Sequence, residues 1–116
     1  MTSNLMNKIQ EIGDLTTIEF TGKTLNLQSG RDFRQEFEPQ IKEHKQIVLD
    51  LSAVTFIDSS GLGVLISCLK KAREAGGDIK LCGLTSQVRA LFQLVRMHKL
   101  FDIYNSREEA AHAFKS

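Results

Sequence analysis

Several features that place a chain in a specialised class of protein are scarce or missing in this sequence. It contains no tryptophan, one proline, one tyrosine and two cysteines among 116 residues. Two cysteines are too few for a disulfide-rich secreted scaffold, and a single proline excludes a proline-rich linker. What is present, 41% hydrophobic and 25% charged residues, is the composition of one ordinary globular domain with a single core.

An excess of charge of one sign is also missing. Fifteen Lys and Arg residues stand against fourteen Asp and Glu residues, which leaves a formal net charge of +1. Proteins that bind the phosphate backbone of nucleic acids usually carry a strongly basic surface, so we expect no direct nucleic-acid partner.

Long apolar runs are missing as well. No run approaches the roughly 18 to 20 residues that span a bilayer, and the start, MTSNLMNKIQEIGD, lacks the continuous apolar region of a signal peptide. We therefore expect a cytoplasmic protein without membrane contact. Cys68 and Cys82 lie in apolar surroundings without a CxxC pattern or a neighbouring His, which favours reduced core residues over a disulfide or a metal pair.

The first two apolar runs predict a β-hairpin. They lie at about residues 7 to 12 and 15 to 21 and are separated by Gly13-Asp14. A pair of this kind is typical of a tight turn with a positive φ at its first central position.

The next segment has the spacing of an amphipathic helix. Its large apolar side chains recur every four positions, at Phe33, Phe37 and Ile41. Ser29-Gly30 offers a start signal for this helix. Pro39 is expected to kink or divide it, because proline lacks a backbone N–H and clashes with the preceding turn.

The rest of the chain alternates short apolar runs with helical stripes. QIVLDLSAV is typical of a strand buried on both faces, and DIKLCG and FDIYN predict two further strands. Three further helices are predicted. One covers about residues 60 to 75 and ends at the stop signal Gly76-Gly77. The second follows a Thr85 cap, and the third follows Ser106, which begins a capping-box pattern. The alternation predicts an α/β fold with a mixed central sheet of about four to five strands, including the N-terminal hairpin, packed by about four helices.

The stretch FIDSSGLG, between a predicted strand and a predicted helix, combines capping residues with two glycines. Asp and Ser accept hydrogen bonds from the free amide groups of a first helical turn, so Asp58 and Ser60 are candidate caps. Capping does not explain Gly61 and Gly63, because a glycine inside a helix costs roughly 0.8 to 1 kcal/mol relative to alanine. Their lack of side chains would let another molecule approach Ser59, and a helix N-terminus favours an anion such as a phosphate.

The sequence from Val48 to Leu65, VLDLSAVTFIDSSGLGVL, resembles the signature of the STAS domain found in bacterial anti-sigma factor antagonists, or anti-anti-sigma factors. The resemblance continues through the Gly-Gly turn, KLCGL, VRALFQLV and the closing FDIYNSREEAA, and covers about residues 7 to 115. It implies that residues 1–116 form a single STAS-type domain.

The resemblance implies a partner switch controlled by phosphorylation. In that family the serine directly after the aspartate is phosphorylated by a partner kinase that is itself the anti-sigma factor, and the matching residue is Ser59. The unphosphorylated protein would bind this kinase and free a sigma factor, phosphorylation would end the binding, and a serine phosphatase would reset the switch. ATP and Mg²⁺ would belong to the kinase, so no cofactor or metal is expected in this chain.

The partner-binding surface implied by the resemblance surrounds that serine and consists of Asp58, Ser59, Ser60, Gly61, Leu62 and Gly63. Asp58 would cap and orient the turn, Ser60 would be the neighbouring hydroxyl and a helix cap, and the two glycines would permit close docking. Leu62 could belong to the core or to the contact. Asp50 matches a family position in the preceding strand, where a structural hydrogen bond is expected.

One segment departs from the family pattern. Many relatives have Gly-x-Leu-Asp after the second strand, whereas this chain reads TGKTLNLQSG, with Lys23, Thr24 and Asn26 where an acidic residue is expected. Because that loop lies near the serine in the family, the departure changes the expected contact charges and leaves the identity of the partner open.

An enzyme and an interaction module are the alternatives to the switch. An enzyme would need a base for Ser59 from His44, His98 or His112, but IDSSGLG is not a G-x-S-x-G elbow and the histidines show no supporting or metal-ligand spacing. Phosphate-binding loop motifs are missing too, so we expect no catalytic activity. The remaining alternative is a STAS interaction or anion-binding module of another bacterial signalling pathway, which phosphate does not switch.

Overall fold

The computed structural model describes residues 5–115. This part of the chain folds into strands, α-helices and one 3₁₀ turn. In chain order the elements are β1 (Met6–Ile12), β2 (Leu15–Phe20), β3 (Thr24–Leu25), α1 (Leu27–Glu43), β4 (Gln46–Asp50), β5 (Phe56–Ile57), α2 (Ser59–Glu74), β6 (Asp78–Cys82), α3 (Ser86–Leu94), the 3₁₀ turn (Met97–Lys99), β7 (Ile103–Tyr104) and α4 (Arg107–Lys115).

Five of the strands form a mixed sheet in the order β1-β2-β4-β6-β7. β1 and β2 are antiparallel, and all the other neighbours in this sheet are parallel. The hairpin turn has Gly13 at a φ of 58°, the left-handed conformation that the Gly13-Asp14 pair predicts. The α/β fold, the N-terminal hairpin and the four helices are therefore confirmed.

A second, two-stranded sheet joins β3 to β5, and the sequence did not predict it. Thr24 pairs with Phe56 and Leu25 pairs with Ile57 in parallel register. Because β3 leads into α1 and β5 leads into α2, this small sheet brings the beginnings of both helices to the same edge of the domain.

Helices cover both faces of the main sheet. Ile47 and Leu49 of β4 belong to a large core that α1, α2 and α3 complete, whereas Val48 belongs to a smaller core under α4. This alternation follows from the two-residue period of a strand. The central strand is thus buried on both faces, as predicted.

Both cysteines are buried and free, as predicted. Burial raises the pKa of Cys68 to about 11 and the pKa of Cys82 to about 12, because a thiolate in the core loses its hydration. Both thiols therefore stay protonated at neutral pH and pack as small apolar side chains.

The first helix begins earlier than predicted, and its proline does not divide it. Asn26 is the N-cap, since its Oδ1 accepts a hydrogen bond from Ser29 N at 3.0 Å and its own N–H donates to Ser29 Oγ at 2.9 Å. Ser29 is therefore the third helical residue and not the start. The helix continues through Pro39 because this residue and Gln35, whose carbonyl group it cannot bond, are both exposed to water.

The predicted signals at the other helix ends are confirmed. Thr85 Oγ1 accepts a hydrogen bond from Val88 N at 3.4 Å, and Ser106 Oγ accepts one from Glu109 N at 3.1 Å. Behind the end of α2, Gly76 adopts a φ of 86°. None of the helices among residues 5–115 has both the length and the apolar content to cross a bilayer.

Candidate functional site

The segment from Asp58 to Gly63, which we call the serine turn, follows β5 directly and forms the first turn of α2. Backbone hydrogen bonds to the segment before α1 hold the start of this turn in place. Thr55 N donates to the carbonyl oxygen of Lys23 at 2.8 Å, and Asp58 N donates to the carbonyl oxygen of Leu25 at 3.2 Å. Residues 23–26, where the chain departs from the family pattern, therefore lie beside the serine turn, as expected.

Asp58 is the N-cap of α2. Its Oδ1 accepts a hydrogen bond from Gly61 N at 2.9 Å, and its carbonyl oxygen accepts one from Leu62 N at 3.0 Å. The capping role predicted for Asp58 is confirmed. The prediction that Ser60 caps the helix is wrong, because Ser60 is already the second helical residue and Asp58 satisfies the free amide.

Ser59 is the first residue of α2 and is exposed. Within residues 5–115 its hydroxyl group forms no hydrogen bond, so nothing in the described chain must be broken before this oxygen can react. Ser60, by contrast, is half-buried. Of the two adjacent serines, Ser59 is the one that a second protein can reach more easily.

The two glycines of the turn have different reasons to be glycine. A β-carbon on Gly61 would lie 2.2 Å from the carbonyl oxygen of Leu25 and 2.9 Å from Ile57 Cγ2, so Gly61 is required by the packing of α2 against β3. A β-carbon on Gly63 would meet nothing within 4 Å. Gly61 is therefore buried and has an internal role, whereas Gly63 is exposed, and the prediction that both glycines permit docking stays a prediction.

Two exposed apolar side chains lie close to the turn, and no pattern in the sequence indicates them. Phe56, at the start of β5, is 56% exposed, and Leu27, which lines a groove together with Ser60 and Gly63, is 55% exposed. Leu62 is half-buried and packs against the large core. The alternation of exposed Phe56 with a buried neighbour is a strand pattern, but it is too short to recognise in the sequence.

The model of the STAS domain family matches residues 7–110, which is most of the chain. The chain belongs to the STAS domain family. This finding agrees with the fold described above and with the resemblance that the sequence from Val48 to Leu65 carries.

The relatives of this STAS domain include anti-sigma factor antagonists. It is 34% identical over 93 residues to BtrV of Bordetella bronchiseptica, a protein named provisionally as an anti-sigma factor antagonist, and the match covers 79% of this chain and 80% of BtrV. It is 31% identical over 70 residues to the anti-sigma-B factor antagonist of Listeria monocytogenes, where the match covers 60% of this chain and 61% of the relative.

The same fold occurs in SpoIIAA of Bacillus, an anti-sigma factor antagonist whose structure is known in an unphosphorylated and a phosphorylated form. The unphosphorylated form gives a TM-score of 0.68 at 18% identity and covers 93% of this chain and 94% of its own. The phosphorylated form gives 0.69 at 18% identity and covers 94% and 98%. At this identity the likeness shows the fold alone.

Asp50 has a structural role in this STAS domain, as predicted. The side chain is buried at the end of β4, where Oδ1 accepts a hydrogen bond from Ser52 N at 2.8 Å and Oδ2 accepts one from Arg107 Nε. The hydrogen bond to Asp50 raises the pKa of Arg107. The pair ties the first turn of α4 to the sheet, and no pattern in the sequence indicates this contact.

The three histidines lie in other elements than the serine turn. His44 precedes β4, His98 lies in the 3₁₀ turn and His112 lies in α4, whereas Ser59 follows the end of β5. His44 caps the C-terminus of α1 but is buried, and its Nε2 lies 2.7 Å from Glu11 Oε1.

Glu43 joins His44 and Glu11 within 4.8 Å, a proximity that the spacing in the sequence did not reveal. The short contact between His44 and Glu11 is an ion pair when the imidazole is protonated.

Proposed function

We propose that this STAS domain is a bacterial anti-sigma factor antagonist that works as a partner switch. Its unphosphorylated form binds an anti-sigma factor that is also a serine kinase, phosphorylation of Ser59 ends this binding, and a serine phosphatase restores it. The observation that carries the proposal is the exposed, unbonded hydroxyl group of Ser59 at the first position of α2. The names of the relatives support it, and SpoIIAA is a domain of the same fold whose structure is known in an unphosphorylated and a phosphorylated form.

The geometry of the turn allows a phosphate to be added without unfolding the domain. Ser59 projects from the surface, and the helix N-terminus stabilises negative charge by about 0.3 to 1 kcal/mol at an exposed site. A phosphate brings roughly −1.5 to −2 charges at pH 7. The phosphorylated domain should therefore keep its fold, while its contact surface changes in charge and shape.

The chain takes part in the reaction as a substrate and not as a catalyst. Ser59 supplies the attacking hydroxyl group, the kinase supplies ATP, Mg²⁺ and the base, and the bond between the γ-phosphorus and the bridging oxygen of ATP breaks as the phosphoserine forms. Asp58 fixes the helix start, and Gly63 leaves room for the kinase. A cytoplasmic location follows from this partnership with a sigma factor pathway.

A phosphorylation assay with matched serine variants tests this function. Candidate serine kinases of the source organism are purified and incubated with Mg-ATP and the wild type, Ser59→Ala or Ser60→Ala, and the modified residue is mapped by mass spectrometry. We expect one phosphate on the wild type and on Ser60→Ala, and none on Ser59→Ala. Phosphate at Ser60 of Ser59→Ala at the wild-type rate would contradict the assignment and leave an interaction module that is not switched at Ser59.

A further inference from the structure

A groove of about 680 Å³ runs between α1 and α2 and opens beside the serine turn. Arg31 and Arg34 line it from α1, and Ser60 and Gly63 line it from the first turns of α2. The two helices are close here, because a β-carbon on Gly30 would lie only 2.9 Å from Val64 Cγ2. The groove is therefore a fixed feature of the helix packing and begins within two residues of Ser59.

The two arginines of the groove have no acidic partner. Within residues 5–115 neither forms an ion pair, and Arg34 Nε is buried without a hydrogen-bond partner. Asp32 is the acidic residue of the groove, and its carboxylate accepts a hydrogen bond from Gln28 Nε2 at 3.3 Å. A carboxylate is the group that matches the planar fork of a guanidinium.

The backbone adds further positive potential to this edge. α1 and α2 both begin here, and neither has an acidic side chain in its first turn. Asp58, at the cap position of α2, is therefore the acidic residue nearest to the partial positive charges of the two helix N-termini. Lys23 lies beside the segment that leads into the serine turn, because its carbonyl group accepts hydrogen bonds from the backbone N–H groups of Thr55 and Phe56. Lys23 is exposed and forms no ion pair among the described residues.

We propose that the groove between α1 and α2 receives an acidic segment of the partner kinase, whose carboxylates pair with Arg31 and Arg34 while apolar side chains pack on Leu27. This inference rests on the proposed function and adds the chemistry of the partner. It also gives a direct reason for the switch: a phosphate on Ser59, the residue directly before Ser60 of the groove, repels the acidic segment that the arginines attract.

The test is charge reversal with a matched control on the same helix. Binding of the kinase that phosphorylates Ser59 is measured by calorimetry for the wild type, Arg31→Glu, Arg34→Glu, the double variant and Lys42→Glu, an exposed lysine at the far end of α1. We expect each groove variant to weaken binding about 10-fold and the double variant about 100-fold, with little change for Lys42→Glu. Raising the salt concentration should weaken the wild-type complex more steeply than that of the double variant.

The outcomes separate this inference from the proposed function. If the double variant binds as tightly as Lys42→Glu while the wild type is still phosphorylated on Ser59, the groove assignment is wrong and the switch stands. Tighter binding by the reversed charges would mean a basic partner segment and would also overturn it. If the wild type neither binds a kinase nor is phosphorylated, both proposals fail. Thermal unfolding of each variant shows whether a loss of kinase binding comes from misfolding. Arg34→Gln, which removes the charge without reversing it, is the milder substitution for the same purpose.

Discussion

Replacing Ser59 by Asp is expected to weaken binding of the kinase by about 100-fold, whereas Ser59→Ala should bind about as well as the wild type. The aspartate places a negative charge at the first residue of α2, on an exposed position beside a groove that carries two unpaired arginines. This charge repels the acidic segment of the kinase that the groove is proposed to receive. Alanine removes the hydroxyl group, which forms no hydrogen bond within the described residues, and so leaves the unphosphorylated contact surface nearly unchanged. Calorimetric titration of the purified kinase measures both effects.

The chain offers a matched control for this substitution. Ser86 is also exposed and is also the first residue of a helix, α3, behind the cap Thr85. Ser86→Asp therefore adds the same charge in the same local setting, and we expect it to change the affinity by less than about threefold. Equal binding by Ser59→Asp and the wild type, or equal losses for the Ser59 and Ser86 variants, would show that the serine turn does not control the partner.

Gly61→Ala is expected to lower the free energy of unfolding by about 3 kcal/mol and the melting temperature by roughly 10 °C. The new β-carbon would lie 2.2 Å from the carbonyl oxygen of Leu25, and this oxygen belongs to the backbone of β3, which cannot move aside as a flexible side chain can. The same carbonyl group accepts the hydrogen bond from Asp58 N, so the clash acts on the bond that positions the serine turn. Chemical and thermal denaturation measure the loss.

Gly63→Ala is the control, two positions further along the same helix. Its β-carbon would meet nothing within 4 Å, and alanine favours a helix over glycine by roughly 0.8 to 1 kcal/mol. We therefore expect Gly63→Ala to be at least as stable as the wild type. Similar stabilities for the two variants would contradict the explanation of Gly61 by its packing against β3.

The main sheet, the helices and the serine turn could be predicted because local patterns encode them. The alternation of apolar runs with helical stripes indicates the parallel strands and their crossovers, and Gly13, Thr85 and Ser106 act within a few residues of their own positions. Asp58 belongs to the same class, because a cap bonds to an amide only three residues ahead. Signals of this range remain visible in a single sequence.

The features that were missed depend on contacts between distant segments. β3 and β5 have two residues each, too few for a periodic pattern, and they are about thirty residues apart. The internal role of Gly61 follows from that contact and could not be seen without it. Asp50 and Arg107 are separated by 57 residues. The start of α1 was misplaced for another reason: Asn26 and Ser29 form a reciprocal cap, and Ser29 alone looks like a start signal.

The most direct test of the partner switch is to map phosphate on the protein isolated from its own cells, by mass spectrometry of samples from several growth conditions. The account predicts that a fraction of the molecules carries one phosphate, on Ser59, and that this fraction changes with condition and falls when a purified serine phosphatase is added. Protein that is unmodified in every condition, or that carries phosphate at other positions but never at Ser59, would contradict it.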